Sequence, residues 1–268
     1  MLKFSLVRSS QIFLFLVIWF QVNVSINAQV VYSNNFNNGT ASLSDFTIRT
    51  VAGNIGTYSV TADSGQLKIA TGNTTPCYGF AVINTANFAA PYQTTLKNNS
   101  GLVSWSFNVS NLDGQWNNSF YFTLASNSSD PLVYTSTSYV FAGGGYVGNR
   151  MMIFRQGYNP SDHTHIIDIT NGLPIGYNGS IRITYDPKTD IWSLYGVWGS
   201  SYVAPELVAN LLGTCHDSTY TGLNLPYMGM GGSTSGIDYF DNLTVSVVPE
   251  PATILLLTLG GLVLRRKK

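Results

Sequence analysis

Charge is scarce in this 268-residue chain: only 10% of its residues are Asp, Glu, Lys or Arg, and the formal net charge is +0. The balance is uneven along the chain. Six of the thirteen basic residues (Lys3, Arg8, Arg265, Arg266, Lys267 and Lys268) lie in the two ends, with Glu250 as the one acidic residue there. The body between them keeps seven basic and twelve acidic residues, a net charge of −5. A mildly acidic, charge-poor body has no basic face, which argues against nucleic acid as a partner. Glutamate is almost missing from the body, where Glu206 stands alone. The paired glutamates of many glycan-cutting sites are therefore absent. There are two cysteines, Cys77 and Cys215. No window outside the ends holds a helical period over three turns; Ala204–Leu212 suits a short helix at most. No internal repeat or long linker divides the body, so one domain is expected.

Asn, Ser, Thr and Gly take the place of charge, and they suit turns and strands rather than helices. Val103–Ser110 and Ser119–Ala125 alternate apolar and polar residues, as strands with one buried face do. Gly179–Asp186 continues the pattern, and Pro187-Lys188-Thr189-Asp190 turns the chain into Ile191–Val197, a predicted hairpin. Further strands are expected at 30–36, 46–50, 66–70, 79–83, 138–142, 151–155, 166–169, 227–231 and 239–247. A dozen short strands without a βαβ rhythm predict an all-β fold of two packed antiparallel sheets.

Both ends read as addresses. Met1–Ala28 has a basic start, an apolar stretch Ile12–Phe20 and a polar approach to Ala28, the three parts of a secretory signal peptide. An uncleaved N-terminal anchor is the alternative. At the other end Pro249-Glu250-Pro251 precedes thirteen largely apolar residues, Ala252–Leu264, and a basic stop. That run is short against the roughly 20 residues of a relaxed bilayer span. Its cations belong on the cytoplasmic side. A plain C-terminal anchor is one reading. The order Pro-Glu-Pro, short apolar helix, basic end also resembles the PEP-CTERM sorting signal of Gram-negative bacteria. The resemblance implies sorting through Pro249, Glu250, Pro251, Arg265 and Arg266 by a membrane protease of the exosortase type. It further implies anchoring in the inner membrane until processing, then the cell surface or extracellular matrix. The expected organisation is a signal peptide over 1–28, a β-sandwich domain over 29–248 and the sorting signal over 249–268, with a signal helix and a short transmembrane helix at the two ends.

Three pieces of the body resemble the concanavalin A-like lectin/glucanase jelly roll, shared with laminin-G-like modules: Tyr32–Gly39, the hairpin Ile183–Tyr195, and Tyr239–Val245. The resemblance implies a jelly-roll sandwich whose first and last strands pair. The glucanases of that superfold carry two Glu on one strand, which this body lacks, so a non-catalytic protein is expected. Glycan, including exopolysaccharide, is the expected ligand class. A structural matrix or adhesion protein without a small-ligand site stays open, as does a polysaccharide hydrolase or lyase.

Aromatic rings cover the apolar face of a pyranose, and Trp116, Tyr121, Trp198 and Tyr202 are the candidates for such a platform. Tyr121 stands out because its neighbours Phe120 and Phe122 must point inward. Extracellular sandwiches also take calcium through carboxylates and carbonyls, and Asp241, with Asp238 or Asn35, is the candidate for a structural calcium ion. Asp162-His163-Thr164-His165 and Cys215-His216-Asp217 are candidates for a metal with N and O ligands. In an oxidising compartment Cys77 and Cys215 can form a disulfide, with roughly 4–5 kcal/mol of stabilisation in the chain-entropy model. Two separate thiols are the alternative.

Overall fold

The computed structural model describes residues 28–50, 57–72, 78–111, 119–130, 136–144, 150–155, 164–170, 178–233 and 236–249. Both expected terminal helices lie outside these residues. Among the described residues no helix is long and apolar enough to cross a membrane.

The described residues form strands β1 (Gln29–Asn34), β2 (Phe46–Thr50), β3 (Tyr58–Asp63), β4 (Gln66–Thr71), β5 (Tyr78–Asn84), β6 (Gly101–Asn111), β7 (Ser119–Ser126) and β8 (Ser138–Gly144). The second half holds β9 (Arg150–Arg155), β10 (Thr164–Ile169), β11 (Asn178–Asp186), β12 (Ile191–Gly199), β13 (Leu211–His216), β14 (Tyr227–Ser233) and β15 (Ile237–Pro249). The first sheet runs β13-β12-β11-β6-β15-β4-β3, with β1 also on β15; the second runs β10-β9-β8-β7-β14-β5-β2. Every pairing is antiparallel. This is the expected two-sheet sandwich, with the first strand paired to the last.

Alternation builds the core. On β6 Val103, Trp105, Phe107 and Val109 are at most 2% exposed and face the second sheet. Phe107 stacks on Phe122 of β7 with ring centroids 4.2 Å apart. Trp105 lies 6.0 Å from Trp192 of β12, also stacked. The reverse face of β6 carries Ser104, Ser106, Asn108 and Ser110, so the outer side of the first sheet is polar. The outer side of the second sheet is different. There Tyr78, Phe80, Val82, Tyr121, Val140, Ala142, Met152 and Phe154 make a second buried apolar cluster. Gly231 of β14 makes room for it, since a Cβ at that position would overlap the Phe80 ring.

Two strands exceed the expectation. β3 is an edge strand whose side chains are only half-buried at best, and β13 is another edge, exposed at Leu211. Ala204–Leu212, which suits a short helix at most, holds one 3₁₀ turn, Pro205–Leu207, and the start of β13.

One end of the sandwich is closed by two carboxylates. Asp217, after β13, accepts from Tyr139 Oη of β8 at 2.8 Å and Arg155 Nη1 of β9 at 2.9 Å, so it ties the two sheets together. Its carbonyl accepts from Trp192 Nε1 at 3.1 Å, and its amide donates to the carbonyl of Asp190 at 2.9 Å. Asp190, at the hairpin turn, accepts from Tyr185 Oη at 2.7 Å and pairs with Lys97. Burial alone would raise the Asp190 carboxyl, but the hydrogen bonds from Lys97 and Tyr185 outweigh it and hold the group below the usual carboxylate range. A depressed folded value means that stabilisation is complete above the unfolded pKa of about 3.9 and is lost as pH falls through the folded value. The melting-temperature advantage of the wild type over Asp190→Asn is therefore expected to hold from neutral pH to about pH 5 and to shrink below about pH 4. Asn suits the φ of +54° at this position, so the substitution adds no backbone strain. An advantage unchanged down to pH 2 would contradict the assignment.

Candidate functional site

A cleft of about 830 Å³ opens on the outer, polar side of the first sheet. It exists because β15 changes partners. From Ile237 to Phe240 that strand pairs with β4, and from Leu243 to Val247 with β1, while β6 runs along its other edge. Between the two partners the register shifts, Asn242 takes a φ of +50°, and its amide donates to Asp241 Oδ1 at 2.6 Å. The sheet is locally incomplete there, and two loops wall the gap.

The first wall is the segment after β1. Asn34 Oδ1 accepts from Phe36 N at 2.8 Å, Asn34 Nδ2 donates to Ser42 O at 2.7 Å, and Asn38 N donates to Ser42 Oγ at 3.1 Å. Phe36 anchors this wall: fully buried, with a φ of +54°, it belongs to the main core. The second wall is the stretch 202–206. Ser180 Oγ on β11 both donates to the carbonyl and accepts from the amide of Val203, each at 3.0 Å, and Pro205 is buried. Asn108 of β6 lines the floor, 1% exposed, and its Oδ1 has no hydrogen-bond partner among the described residues.

Tyr202 lines this cleft, as does Asn35, so two expected site residues meet in one place. Burial raises the Tyr202 phenol above its ordinary value; Ser110 and Gln66 beside it work the other way, and the Asp241 charge adds to the rise. Its Oη is buried without a hydrogen bond of normal geometry. Burial likewise raises the Asp241 carboxyl, against the opposing bond from Asn242 N.

The other aromatic candidates do not join it. Tyr121 is 1% exposed. It does point away from Phe120 and Phe122, as alternation requires, but into the second apolar cluster, with Phe80 6.3 Å away. Trp198 lies on β12, which continues past the strand end expected at Val197. It shares the inward parity of Trp192 and Leu194 and packs against the main core above Gly196, whose missing side chain leaves it room. Trp116 lies outside the described residues.

The Asp241–Asp238 calcium pair is not assembled either. Asp238 and Asp241 are three residues apart on one strand, hence on opposite faces. Asp238 is fully buried, its Oδ2 close to Gly232 of the opposite sheet, while Asp241 is half-buried on the outer side. Among the described residues no three of His, Cys, Asp and Glu gather to hold a metal. His163 lies outside the described residues, and His165 Nδ1 sits 3.3 Å from Asp168 Oδ2, which Arg150 also reaches.

Cys215 is a free thiol on β13, and Cys77 lies outside the described residues. The expected Cys77–Cys215 pairing therefore falls outside the described residues.

Sequence reasoning missed Asn108, Asn242 and the wall residues. One signal was there for Asn108, the single large amide in a row of serines on the outer side of β6.

Known structures share the fold at low identity. A protein of unknown function with a galectin-like fold from Bacillus subtilis is 7% identical, with TM-score 0.53, covering 82% of this chain and 99% of its own. The CBM2 module of the evolved Dit of Lactobacillus casei BL23 phage J-1 is 12% identical, with TM-score 0.51, over 83% and 96%. Lectin II from Ulex europaeus is 13% identical, with TM-score 0.50, over 81% and 99%. At these identities the likeness concerns fold alone. A search of curated proteins finds no match. Residues 247–268 match the PEP-CTERM protein-sorting motif, and the first three of them are still strand, with Val247, Val248 and Pro249 paired to Val103, Leu102 and Gly101. The chain thus shares the two-sheet jelly-roll fold of these structures, and its residues 247–268 match the PEP-CTERM sorting motif.

Proposed function

We propose that this is an exported bacterial surface protein, sorted by an exosortase-type protease through its C-terminal motif, whose sandwich binds glycan without cutting it. The observation that carries the binding reading is the cleft. Five asparagines (34, 35, 38, 108 and 242) line it beside the ring of Tyr202. Amides both donate and accept, as vicinal sugar hydroxyls do, and an aromatic ring suits the apolar face of a pyranose. Small-ligand sites are concave with a few fixed polar groups, and this cleft is of that size. Sorting to the surface would bring such a cleft to the cell's own exopolysaccharide.

A hydrolase is the second reading, favoured by one observation: Glu206, the body's only glutamate, and Asp45 stand on the two walls. Incubating the purified protein with polysaccharides separates the two. Retardation in glycan-containing gels without release of reducing sugar is the expected result, and release of sugar would make it an enzyme. Failure to bind any glycan would leave a matrix or adhesion component.

A further inference from the structure

The composition of the cleft restricts what it accepts. We propose that the cleft takes an uncharged glycan, which donates a hydroxyl or acetamido hydrogen to Asn108 Oδ1, and that it excludes acidic polysaccharides; this rests on the glycan-binding reading above.

Three observations carry it. First, among the described residues that line the cleft the only groups of formal charge are Asp45 and Glu206, both exposed, and none is Lys, Arg or His. Asp241 adds a third carboxylate next to the floor, directly opposite Asn108 in the β15–β6 register. A uronate or sulfate would meet like charge with no cation to pair it. Second, neither Lys68 nor Arg182, the Lys and Arg residues on the described strands of this sheet, lines the cleft. Arg182 lies over the Tyr195 ring at 4.2 Å, and Lys68 is 3.5 Å from Asp63. Third, Asn108 Oδ1 is a buried acceptor that the described chain does not satisfy. Such a group costs free energy until a donor reaches it, so a donor on the ligand gains what the fold leaves unmade. Asn108 is held in place from both sides, by Ser180 on β11 and Asp241 on β15.

The full chain, purified from membranes in mild detergent, tests this by affinity electrophoresis in gels cast with hydroxyethylcellulose, glycol chitin or polygalacturonate. Retardation is expected with one of the two uncharged polymers and not with polygalacturonate. Asn108→Leu, of similar volume, is expected to weaken the retarded case about tenfold while leaving the melting temperature unlowered, because no hydrogen bond to Oδ1 is lost on folding. Glu206→Lys, on an exposed residue, is expected to admit polygalacturonate. Wild-type retardation by polygalacturonate, or uncharged binding untouched by both substitutions, would overturn this inference and leave glycan binding standing at another site. Retardation by none of the polymers, in wild type and variants alike, would count against the glycan reading itself and remove this inference with it.

Discussion

Asp217→Ala is expected to destabilise the sandwich by about 2–4 kcal/mol, near the lower end of the cost of stripping one partner from a buried ion pair. The carboxylate is 8% exposed and its partner Arg155 25% exposed, so solvent offsets part of the loss. Four donors lose this acceptor together: Tyr139 Oη, Arg155 Nη1, Thr219 N at 3.0 Å and Thr219 Oγ1 at 3.3 Å. Tyr139 is fully buried, and its hydroxyl is itself the acceptor for Tyr220 N at 3.0 Å. Its ring lies 4.4 Å from that of Trp192, so movement there disturbs the packing of one of the largest fully buried side chains. At a few degrees per kcal/mol for a domain of this size, the melting temperature should fall by about 6–12 °C. Asp217→Asn keeps the shape and one acceptor oxygen but faces Arg155 with a donor, and should fall between the wild type and Asp217→Ala. A melting temperature within about 2 °C of wild type for Asp217→Ala would show that the two sheets do not depend on this tie.

Nothing in the sequence marked Asp217 as a brace. It was noticed only beside Cys215 and His216, as a candidate metal neighbour. Its partners Tyr139 and Arg155 lie 78 and 62 residues away, and one-dimensional patterns carry no such information. The strands were another matter. Where one face meets the core and the other meets polar surroundings, as on β6, alternation marks the strand and its facing together. β3 and β13 escaped because edge strands bury little on either face and so lack the pattern. Tyr121 was oriented correctly and still misjudged. Its parity is a local property, but whether the outer side of a sheet is wet depends on what else packs there, and Phe80, Val140 and Phe154 arrive from other strands. Trp198 is half-buried against the core for a simpler reason. β12 continues two residues past its expected end, and strand parity then turns the indole inward.

The cleft was legible only in fragments. Tyr202 and Asn35 were each selected, one for sugar and the other for calcium. The gap that joins them arises from the change of partner along β15, a property of sheet topology. Asp238 and Asp241 show the converse. Closeness in sequence suggested a shared ion, yet an odd spacing on a strand separates two side chains more surely than distance does.

The same strand decides how the C-terminal signal can be removed. A chain ending at Pro249 is expected to leave the membrane fraction and appear in the medium as a folded sandwich, because β15 is then whole and the apolar run 252–264 is gone. A chain ending at Asn242 is expected not to accumulate at all. It loses Leu243, Val245 and Val247, each at most 1% exposed in the core, together with the pairing of β15 to β1. At about 1.5–3 kcal/mol for each buried aliphatic side chain, the loss is roughly 5–9 kcal/mol. That is comparable with the whole stability of a typical domain, about 5–15 kcal/mol. The two truncations differ by only seven residues, so fractionation and limited proteolysis of both separate the address from the fold. Membrane retention of the chain ending at Pro249 would mean that something other than the terminal segment holds the protein there. A protease-resistant chain ending at Asn242 would mean that β1 and β6 close the sheet without the second half of β15. Because paired strand reaches Pro249 itself, any processing at Pro249-Glu250-Pro251 must occur at the very edge of the folded sheet, with no spacer to absorb it.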